Sequence, residues 1–268
     1  MVLVETEIDG QKIEVERDRW ALDVARSLGI EIPTLCHHPA LAPYGACRLC
    51  MVEVSKRQAT WLTTACDLPV REGLTIRTNT PDVMKARKMA VELLLAQAPD
   101  ATRIQELAEK LGVAKPRFPA RSGLGKCILC GLCIRTCRAI LGQPAICVSR
   151  RGADRRVGSP FGEASEACTG CMACVEICPT GHIESVDDGP VRRMETWNTE
   201  LELAPCSTCG RLFATVRELE LARAKSPEHF TFDTICPACR RSQTAGRLAN
   251  AAQKTRPTGH GPKAEQSR

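Results

Sequence analysis

Two cysteine runs at matching spacing carry the strongest chemical signal in the sequence. The first run reads Cys127-x2-Cys130-x2-Cys133-x3-Cys137, and the second reads Cys168-x2-Cys171-x2-Cys174-x3-Cys178-Pro179. Three closely spaced thiols followed by a fourth are the pattern that holds a cubane iron–sulfur cluster. Structural zinc sites use paired Cys-x2-Cys knuckles instead, so zinc is the weaker interpretation. The two runs therefore predict two [4Fe–4S] clusters.

Four earlier cysteines, which we call the N-terminal thiol set, follow the pattern Cys36-x10-Cys47-x2-Cys50-x15-Cys66. Plant-type [2Fe–2S] ferredoxins use C-x4-C-x2-C and a distant fourth cysteine, so this set predicts one [2Fe–2S] cluster. Gly45 and the small Ala46 let backbone N–H groups approach the sulfurs. Zinc bound by the same thiols is the alternative. His37 and His38 follow Cys36, but four thiols complete the site, so we expect both rings at the surface or beside the cluster.

Two knuckles near the C-terminus form the C-terminal thiol set, Cys206-x2-Cys209 and Cys236-x2-Cys239. The segment between them, ATVRELELARAK, has helical periodicity. Paired knuckles predict a metal site, with zinc as the favoured ion. An additional iron–sulfur cluster and a single rubredoxin-like iron are the alternatives. The remaining cysteine, Cys147, lies in an apolar run and is expected to be a buried core thiol.

The use of cysteine indicates a reducing compartment. Seventeen cysteines could form a secreted disulfide scaffold, but sixteen of them fall into four groups of four with metal-ligand spacing. The acidic N-terminus, MVLVETEIDG, is unlike a secretory signal. No apolar run approaches the length needed to span a membrane. We therefore expect a cytoplasmic protein that does not insert into membranes.

Composition and charge indicate small modules organised by metal. Aromatic residues make up only 3% of the chain, so large apolar cores are not expected and metal bonds must contribute to stability. The formal net charge of +6 treats cysteine as neutral. Each oxidised cluster held by four thiolates carries a charge of about −2 and offsets this excess. Because no platform of aromatic and basic residues is visible, nucleic-acid binding is not expected.

Local patterns predict the elements that position the thiols. Residues 2–8 and 12–16 alternate around Asp9-Gly10, which is a strong hairpin signal. Asp18 is expected to cap a helix over residues 19–28, and two strands followed by a helix suggest a β-grasp. Thr80-Pro81 opens a helix that reaches about residue 97, and a second helix follows over 101–111.

The predicted fold class is α+β, in five parts. They are a β-grasp [2Fe–2S] domain over 1–79, a helical connector over 80–118, a two-cluster bacterial ferredoxin-like domain over 119–200, a small four-cysteine knuckle module over 201–245 and a disordered tail over 246–268. The tail is assigned from its polar composition, and His260 within it is expected to be inert.

Three segments resemble a known family. They are CHHPALAPYGACRLCMVEV, GKCILCGLCIRTCRAI and RRGADRRVGSPFG. They are similar to the N-terminal part of the large iron–sulfur subunit of respiratory complex I and to the iron–sulfur diaphorase subunit of NAD-linked hydrogenases. The N-terminal part of some [FeFe]-hydrogenases is equally similar. The resemblance covers roughly residues 1–195, and the long C-x10-C spacing separates it from the iron–sulfur subunits of succinate dehydrogenase.

The two runs also resemble those of two-cluster ferredoxins, in which the fourth cysteine of each run ligates the other cluster. Applied to this chain, the resemblance implies a first thiol set of Cys127, Cys130, Cys133 and Cys178. It implies a second thiol set of Cys137, Cys168, Cys171 and Cys174. One departure is Arg138, which stands where the motif has proline after Cys137.

The chief departure from the family lies between the two predicted connector helices. The family carries an extra [4Fe–4S] cluster there, held by one histidine and three cysteines. Residues 96–113 of this chain, AQAPDATRIQELAEKLGV, contain neither residue type. The chain is therefore expected to have lost this bridging cluster while keeping the helices.

The predicted function is one-electron relay. No G-x-G-x-x-G fingerprint is present, so the chain is not expected to bind NAD or flavin itself. The resemblance implies a flavin- and NAD(P)-binding diaphorase-type partner and a catalytic oxidoreductase partner of the hydrogenase or formate dehydrogenase type. The chain would then be a non-catalytic subunit. The alternatives are a redox-sensing or scaffold iron–sulfur protein, and a shortened relative of [FeFe]-hydrogenase, which would need a large catalytic domain absent from this sequence.

Overall fold

The N-terminal hairpin forms as predicted. The structure, a computed structural model, describes residues 2–120, 125–228 and 233–254. Strand β1 (Leu3–Ile8) pairs with β2 (Gln11–Glu16) around Asp9 and Gly10, whose φ angles are 48° and 84°. Two turn residues with positive φ match the twist of a two-residue hairpin, which explains the Asp-Gly pair.

Three further strands complete a five-stranded sheet. They are β3 (Met51–Lys56), β4 (Ala59–Thr64) and β5 (Thr75–Arg77), in the order β2-β1-β5-β3-β4. Strands β1 and β5 are parallel, and the other pairs are antiparallel. Helix α1 (Ala21–Ser27) shares a buried core with the sheet. One helix on a mixed sheet of this order is a β-grasp topology.

The predicted start of α1 is wrong. Asp18 does not cap the helix; it lies at φ 66°, and its carboxylate is 3.2 Å from Arg71 and 3.7 Å from Arg17. The helix begins two residues later than expected, with Trp20 in the N-cap position and no side-chain cap. The Asp18 carboxylate therefore pairs with two arginines and makes no capping bond to the helix.

Both predicted connector helices are confirmed. Helix α2 (Pro81–Gln97) is capped by the Thr80 hydroxyl, which accepts the Val83 N–H at 3.3 Å, and proline occupies its first turn. Helix α3 (Thr102–Lys110) follows after a short turn. Ala98 and Ala101 in this turn are completely buried, so it packs as a tight apolar corner.

The cysteine runs lie in a segment of short elements. Helix α4 (Leu132–Arg135) belongs to the first run and continues as a π-helical turn over Thr136–Ile140. Helix α5 (Ala173–Glu176) belongs to the second run. Between them, β6 (Cys147–Ser149) and β7 (Arg156–Gly158) form a two-stranded antiparallel sheet.

A four-stranded antiparallel sheet joins the second run to the C-terminal knuckles. Its strands are β8 (Val186–Asp188), β9 (Val191–Met194), β10 (Thr199–Pro205) and β11 (Leu212–Thr215), in the order β11-β10-β9-β8. The boundary predicted between residues 200 and 201 falls inside β10. The ferredoxin-like part and the knuckle module therefore share one sheet and are not separated by a linker.

Two helices complete the described chain. The predicted helix between the knuckles is α6 (Val216–Lys225), and α7 (Pro237–Lys254) follows the last knuckle. The predicted start of the tail at residue 246 is corrected, because α7 continues to Lys254. His260 and the rest of the predicted tail lie outside the described residues. Within the described ranges, no helix is long and apolar enough to cross a membrane.

Removing the cap of α2 should destabilise the chain. Thr80→Ala deletes the hydroxyl that accepts the Val83 N–H, so we expect the free energy of unfolding to fall by about 1 kcal/mol. Chemical unfolding of the metal-loaded protein, followed by its helical signal, measures the change. Thr80→Ser keeps the acceptor and is the matched control. An alanine variant as stable as the serine variant would contradict the capping role.

Candidate iron–sulfur and metal sites

The N-terminal thiol set is gathered beside the five-stranded sheet and is almost fully buried. None of its four residues is more than 4% exposed. The Cys36 and Cys47 thiols share a hydrogen bond, and the Cys50 and Cys66 thiols share another. Four buried thiols in two close pairs, with no carboxylate among them, form a soft ligand set suited to iron and sulfide.

Backbone N–H groups approach these sulfurs as expected from the small residues of the loop. The Cys47 N–H donates to Cys36 Sγ at 3.4 Å, and the Ala46 N–H also faces this sulfur. Gly45 lies at φ 63°, and a Cβ there would be 3.1 Å from an Asp67 carboxylate oxygen. Glycine is therefore required for the loop to close around the thiols.

The surroundings of this set lower the pKa of two of its thiols, Cys47 and Cys50, and raise that of the other two. The hydrogen bond from Cys36 lowers the pKa of Cys47 to about 7, while the same bond and burial raise that of Cys36. Arg87 of α2 is buried, and its guanidinium charge interacts with the Cys50 thiol. Its Nη2 donates to the Met51 carbonyl at 2.8 Å. A buried cation at this position can offset the charge of bound thiolates.

The two histidines next to Cys36 have partners outside the thiol set. His37 Nδ1 is 3.5 Å from Arg26 Nη1, and its Nε2 is 3.9 Å from Asp23 Oδ1. Burial lowers the pKa of His37. His38 is exposed, and its Nδ1 accepts the Ala40 N–H at 3.2 Å. Both arrangements agree with rings that lie beside the site.

The two cysteine runs line two neighbouring cavities. One cavity is lined by the first thiol set, Cys127, Cys130, Cys133 and Cys178. The other is lined by the second thiol set, Cys137, Cys168, Cys171 and Cys174. Each cavity takes three thiols from one run and the last thiol from the other run. This is the exchange that the ferredoxin pattern implies.

Left-handed residues at equivalent positions shape both runs. Leu129 and Gly170 precede the second cysteine of their runs, with φ angles of 52° and 67°. Gly131 and Met172 follow it, with φ angles of 71° and 66°. The alternation of left-handed residues with cysteines curves the backbone around a common centre. The repeat in sequence is therefore also a repeat in backbone conformation.

Burial makes these thiols difficult to ionise without a metal. It raises the pKa of Cys130 to about 12 and that of Cys174 to about 11, and it also raises the pKa of Cys133. Desolvation penalises the thiolate, and bound iron would compensate for it. Proton release should therefore accompany cluster binding at both cavities.

Trp197 separates the two cavities and lines both of them. Its side chain is 1% exposed, and within the part of the chain that the structure describes its Nε1–H finds no acceptor. The indole acts on the Cys174 thiol in the direction that lowers its pKa, against the larger effect of burial. An unpaired buried N–H directed at a thiol cavity fits a bound cluster whose sulfur would accept it.

The C-terminal thiol set forms a much tighter group. Its four sulfurs all lie within 4.8 Å of one another, and those of Cys209 and Cys236 are 3.9 Å apart. Cys206 Sγ accepts the Cys236 N–H at 3.2 Å and the Thr208 N–H at 3.4 Å. The Cys236 amide lowers the pKa of Cys206 to about 6.

These distances suit one metal ion better than a cluster. A tetrahedral ion with metal–sulfur bonds of about 2.3 Å places its sulfurs about 3.8 Å apart. In a cluster, thiolates bound to different irons are separated by the iron–sulfide core and lie farther apart. Among the described residues, no other group of potential metal ligands was found this close together.

Cys147 lies outside all four sets, but the prediction of a fully buried thiol is wrong. Ala145 and Ile146 are buried, whereas Cys147 is only half-buried and Val148 is 41% exposed. Cys147 is the first residue of β6, which belongs to a sheet of two strands.

Comparison with known proteins finds iron–sulfur domains in two parts of the chain. The model of a 2Fe-2S iron-sulfur cluster binding domain matches residues 2–81, and that of a 4Fe-4S binding domain matches residues 165–183. An NADH-quinone oxidoreductase subunit of Rhizobium meliloti is 30% identical over 87% of this chain. The alpha subunit of an NADPH-Fe(3+) oxidoreductase of Geobacter sulfurreducens is 33% identical over 68% of it. This chain spans only 30% and 24% of these two relatives.

A solved structure is also similar to this chain. A chain of an NAD+-reducing [NiFe]-hydrogenase in the H2-reduced state superposes with a TM-score of 0.55 and 28% identity. The match covers 66% of this chain and 85% of the hydrogenase chain. The protein is related to the iron–sulfur subunits of complex I and NAD(P)-linked hydrogenases. Its N-terminal [2Fe–2S] domain and its [4Fe–4S] motif are thereby confirmed.

In this relative of the complex I subunits, the N-terminal thiol loop packs directly on the first cysteine run. Cys36 and Cys130 belong to one buried core, together with Leu35 and Leu132. Arg135 of α4 donates to the Cys36 carbonyl at 2.9 Å and to the Ala42 carbonyl at 2.5 Å. The Arg135 guanidinium also lies 5.1 Å from the Tyr44 ring centroid, a cation–π contact.

Sequence reasoning missed the residues that connect the thiol sets. Arg135 and Trp197 gave no motif signal, because their roles depend on contacts with distant segments. Trp197 could have been singled out, since it is one of three tryptophans in a chain with few aromatics. Arg87 could have been found as a cation on the otherwise apolar face of a predicted helix.

Removing the indole N–H should change the potential of a neighbouring cluster. Trp197→Phe keeps an aromatic ring between the cavities and deletes the donor. We expect the reduction potential at the second thiol set to fall by tens of millivolts, because a hydrogen bond to sulfur stabilises added negative charge. Redox titration followed by EPR measures it, with the exposed Trp61→Phe as control. Equal potentials in both variants would rule out the hydrogen bond.

Proposed function

We propose that this chain is an electron-transfer subunit that binds one [2Fe–2S] cluster at the N-terminal thiol set and [4Fe–4S] clusters at the first and second sets. It would connect a flavin- and NAD(P)-binding diaphorase-type partner with a catalytic oxidoreductase partner. The relatives support this, since they are named as subunits of NADH-, NADPH- and NADP-linked oxidoreductases and hydrogenases. When bound, the clusters supply one-electron chemistry, and no acid, base or nucleophile of the chain is required.

The chain's own residues hold and insulate the clusters. Buried thiols supply the ligands, and apolar residues line each cavity: Val157 and Ile183 at the first thiol set, Ile146 and Met194 at the second. Exclusion of water lowers the dielectric around each site and so strengthens the effect of nearby dipoles and charges. Backbone amides, Arg87 and the Trp197 indole then act on the charge held by sulfur.

The observation that carries the proposal is the contact between the N-terminal thiol loop and the first cysteine run. The family's additional cluster motif is missing from the turn between α2 and α3. In its place Ala98, Ala101 and Ile104 fill the same buried core that contains Cys36 and Cys130. Gln97 at the end of α2 donates to the Cys127 carbonyl at 3.3 Å. This packing supports a route within the chain that needs no intervening cluster.

We further propose one metal ion at the C-terminal thiol set, with zinc favoured over a single iron or a further cluster. The short distances between the four sulfurs support a single tetrahedral ion. The amides on Cys206 stabilise a thiolate, which is the form that binds metal. Such an ion would fix the two knuckles relative to β11 and α7.

Metal analysis tests the cofactor assignment. Protein purified anaerobically should contain about ten irons and one zinc per chain, with EPR signals of one [2Fe–2S] and two [4Fe–4S] clusters after reduction. Cys171→Ala should remove the [4Fe–4S] signal of the second set, weaken that of the first set, with which it exchanges a cysteine, and leave the [2Fe–2S] signal. Cys147→Ala is the matched control and should lose no iron. Iron in place of zinc would overturn the metal assignment.

Reduction of the complex tests the relay. The complex purified through a tag on this chain should show reduced clusters after addition of NADH or NADPH, as followed by freeze-quench EPR. Clusters that stay oxidised with both nucleotides, yet are reduced by dithionite, would exclude relay from nicotinamide and favour the redox-sensing alternative.

Arg135 should control transfer between the N-terminal and first sites. Arg135→Ala removes both carbonyl bonds and the contact with Tyr44, so we expect the [4Fe–4S] signals to appear more slowly after the [2Fe–2S] signal. Arg135→Lys should restore part of the rate, and Arg103→Ala, an exposed change on α3, is the control. Unchanged rates in Arg135→Ala would contradict the proposed route.

A further inference from the structure

Three consecutive carbonyls of the second cysteine run are held by the C-terminal part of the chain. The Cys168 carbonyl accepts Arg217 Nη1 at 3.2 Å, and the Gly170 carbonyl accepts Arg192 Nη1 at 2.9 Å. Between them, the Thr169 carbonyl accepts a short hydrogen bond from the Thr215 hydroxyl. The donors come from β9, the end of β11 and the first turn of α6. Three elements of the C-terminal sheet and its helix therefore fix one short loop.

Fixing the carbonyls also fixes the amides of the loop. In a trans peptide the C=O and N–H point in opposite directions. Carbonyls turned towards the C-terminal sheet therefore turn the N–H groups of Thr169, Gly170 and Cys171 away from it, towards the thiol side. The Gly170 N–H accordingly faces the Cys168 sulfur. Hydrogen bonds of this kind raise the potential of a bound cluster.

The packing leaves the loop little freedom. A Cβ on Gly170 would lie 2.6 Å from a Leu201 methyl and 2.8 Å from the Thr215 methyl. Real side chains do not approach so closely, so only glycine lets the sheet lie against the loop. The equivalent position of the first run is Leu129. The close approach is therefore a property of the second run and not of the repeat.

Positive charge accompanies these hydrogen bonds. Arg192 is 8% exposed and is paired with Asp187, its Nε lying 2.7 Å from Oδ1. Arg217 also donates to the Glu166 carbonyl at 3.0 Å, so its guanidinium lies across the start of the run. The Arg217 guanidinium thus lies against the backbone of Cys168, one of the proposed cluster ligands. A nearby cation favours the reduced, more negative form of a bound cluster.

The C-terminal knuckles hold the residues that make these contacts. Strand β11 begins three residues after Cys209 and ends at Thr215, and the Thr215 hydroxyl also caps α6 by accepting the Glu218 N–H at 3.0 Å. Arg217 lies in the first turn of α6. An ion bound to the knuckles would therefore fix the strand that carries Thr215 and the helix that carries Arg217.

We propose that the C-terminal knuckle module sets the reduction potential of the cluster at the second thiol set, through Thr215 and Arg217 as positioning residues. The inference rests on the proposed function, since it requires a cluster at Cys137, Cys168, Cys171 and Cys174. It assigns the module a role in tuning electron transfer, beyond the binding of a structural ion.

Redox titration of the intact chain, followed by EPR, tests the proposal. In Arg217→Gln we expect the potential at the second set to fall, with a threefold to tenfold change in the reduction equilibrium, roughly 30 to 60 mV for one electron. The potential at the first set should stay unchanged. Arg217→Lys should recover part of the shift, and the exposed Arg247→Gln on α7 is the matched control.

Further variants distinguish the effect of the Thr215 hydrogen bond, and that of the bound ion, from the effect of the Arg217 charge. Thr215→Val should lower the same potential, whereas Thr215→Ser should not. Cys209→Ser, which is expected to release the ion, should shift the second set in the same direction. A wild-type potential in Arg217→Gln and Thr215→Val, or equal shifts at both sets, would overturn the proposal. A wild-type chain with no cluster at the second set would instead overturn the proposed function, before any variant is compared.

Discussion

Burial of thiols away from water is the constraint on which the rest of this structure depends. Desolvation raises the pKa of Cys130 in one cavity and that of Cys174 in the other, so a thiolate at either position is costly unless a bound metal takes up the charge. Each apolar core among the described residues contains thiol residues: Cys50 and Cys66 in the first, Cys36 and Cys130 in the second, Cys133 and Cys168 in the third. With aromatic content of only 3%, the cores are small, so the proposed metal sites would contribute to folding.

Arginine side chains lie close to the buried thiols. Arg87, Arg135 and Arg217 each lie at a different thiol region, where they reach a thiol charge or the carbonyls of a thiol loop. Part of the positive formal charge of the sequence would therefore offset the negative charge of the proposed clusters. This interpretation accounts for a basic chain without invoking a nucleic acid.

Elements that depend on interactions between neighbouring residues can be predicted from the sequence. Asp9-Gly10 requires a tight turn, and Thr80-Pro81 can satisfy the first amides of a helix, so both elements were predictable. Asp18 was misread because Arg71, far away in sequence, competes for its carboxylate. Spacing alone picks out the cysteine runs and knuckles, and the resemblance to two-cluster ferredoxins implies how the runs exchange a cysteine. Arg135, Trp197 and Arg217 instead act through contacts across tens of residues. The boundary inside β10 was missed because strand pairing is not encoded in composition.

The exchange of cysteines between the two cavities has a consequence for the loss and assembly of the proposed clusters. Cys137 and Cys178 each belong to one run but line the cavity of the other. If oxygen destroyed one cluster, three thiols of one run and the last thiol of the other run would be released, and the support of the surviving cluster would weaken. Loss of cofactor should therefore spread from one half to the other, and assembly should be cooperative. A chain of this kind would accumulate as fully loaded or empty protein, with few half-loaded molecules available to pass single electrons to oxygen.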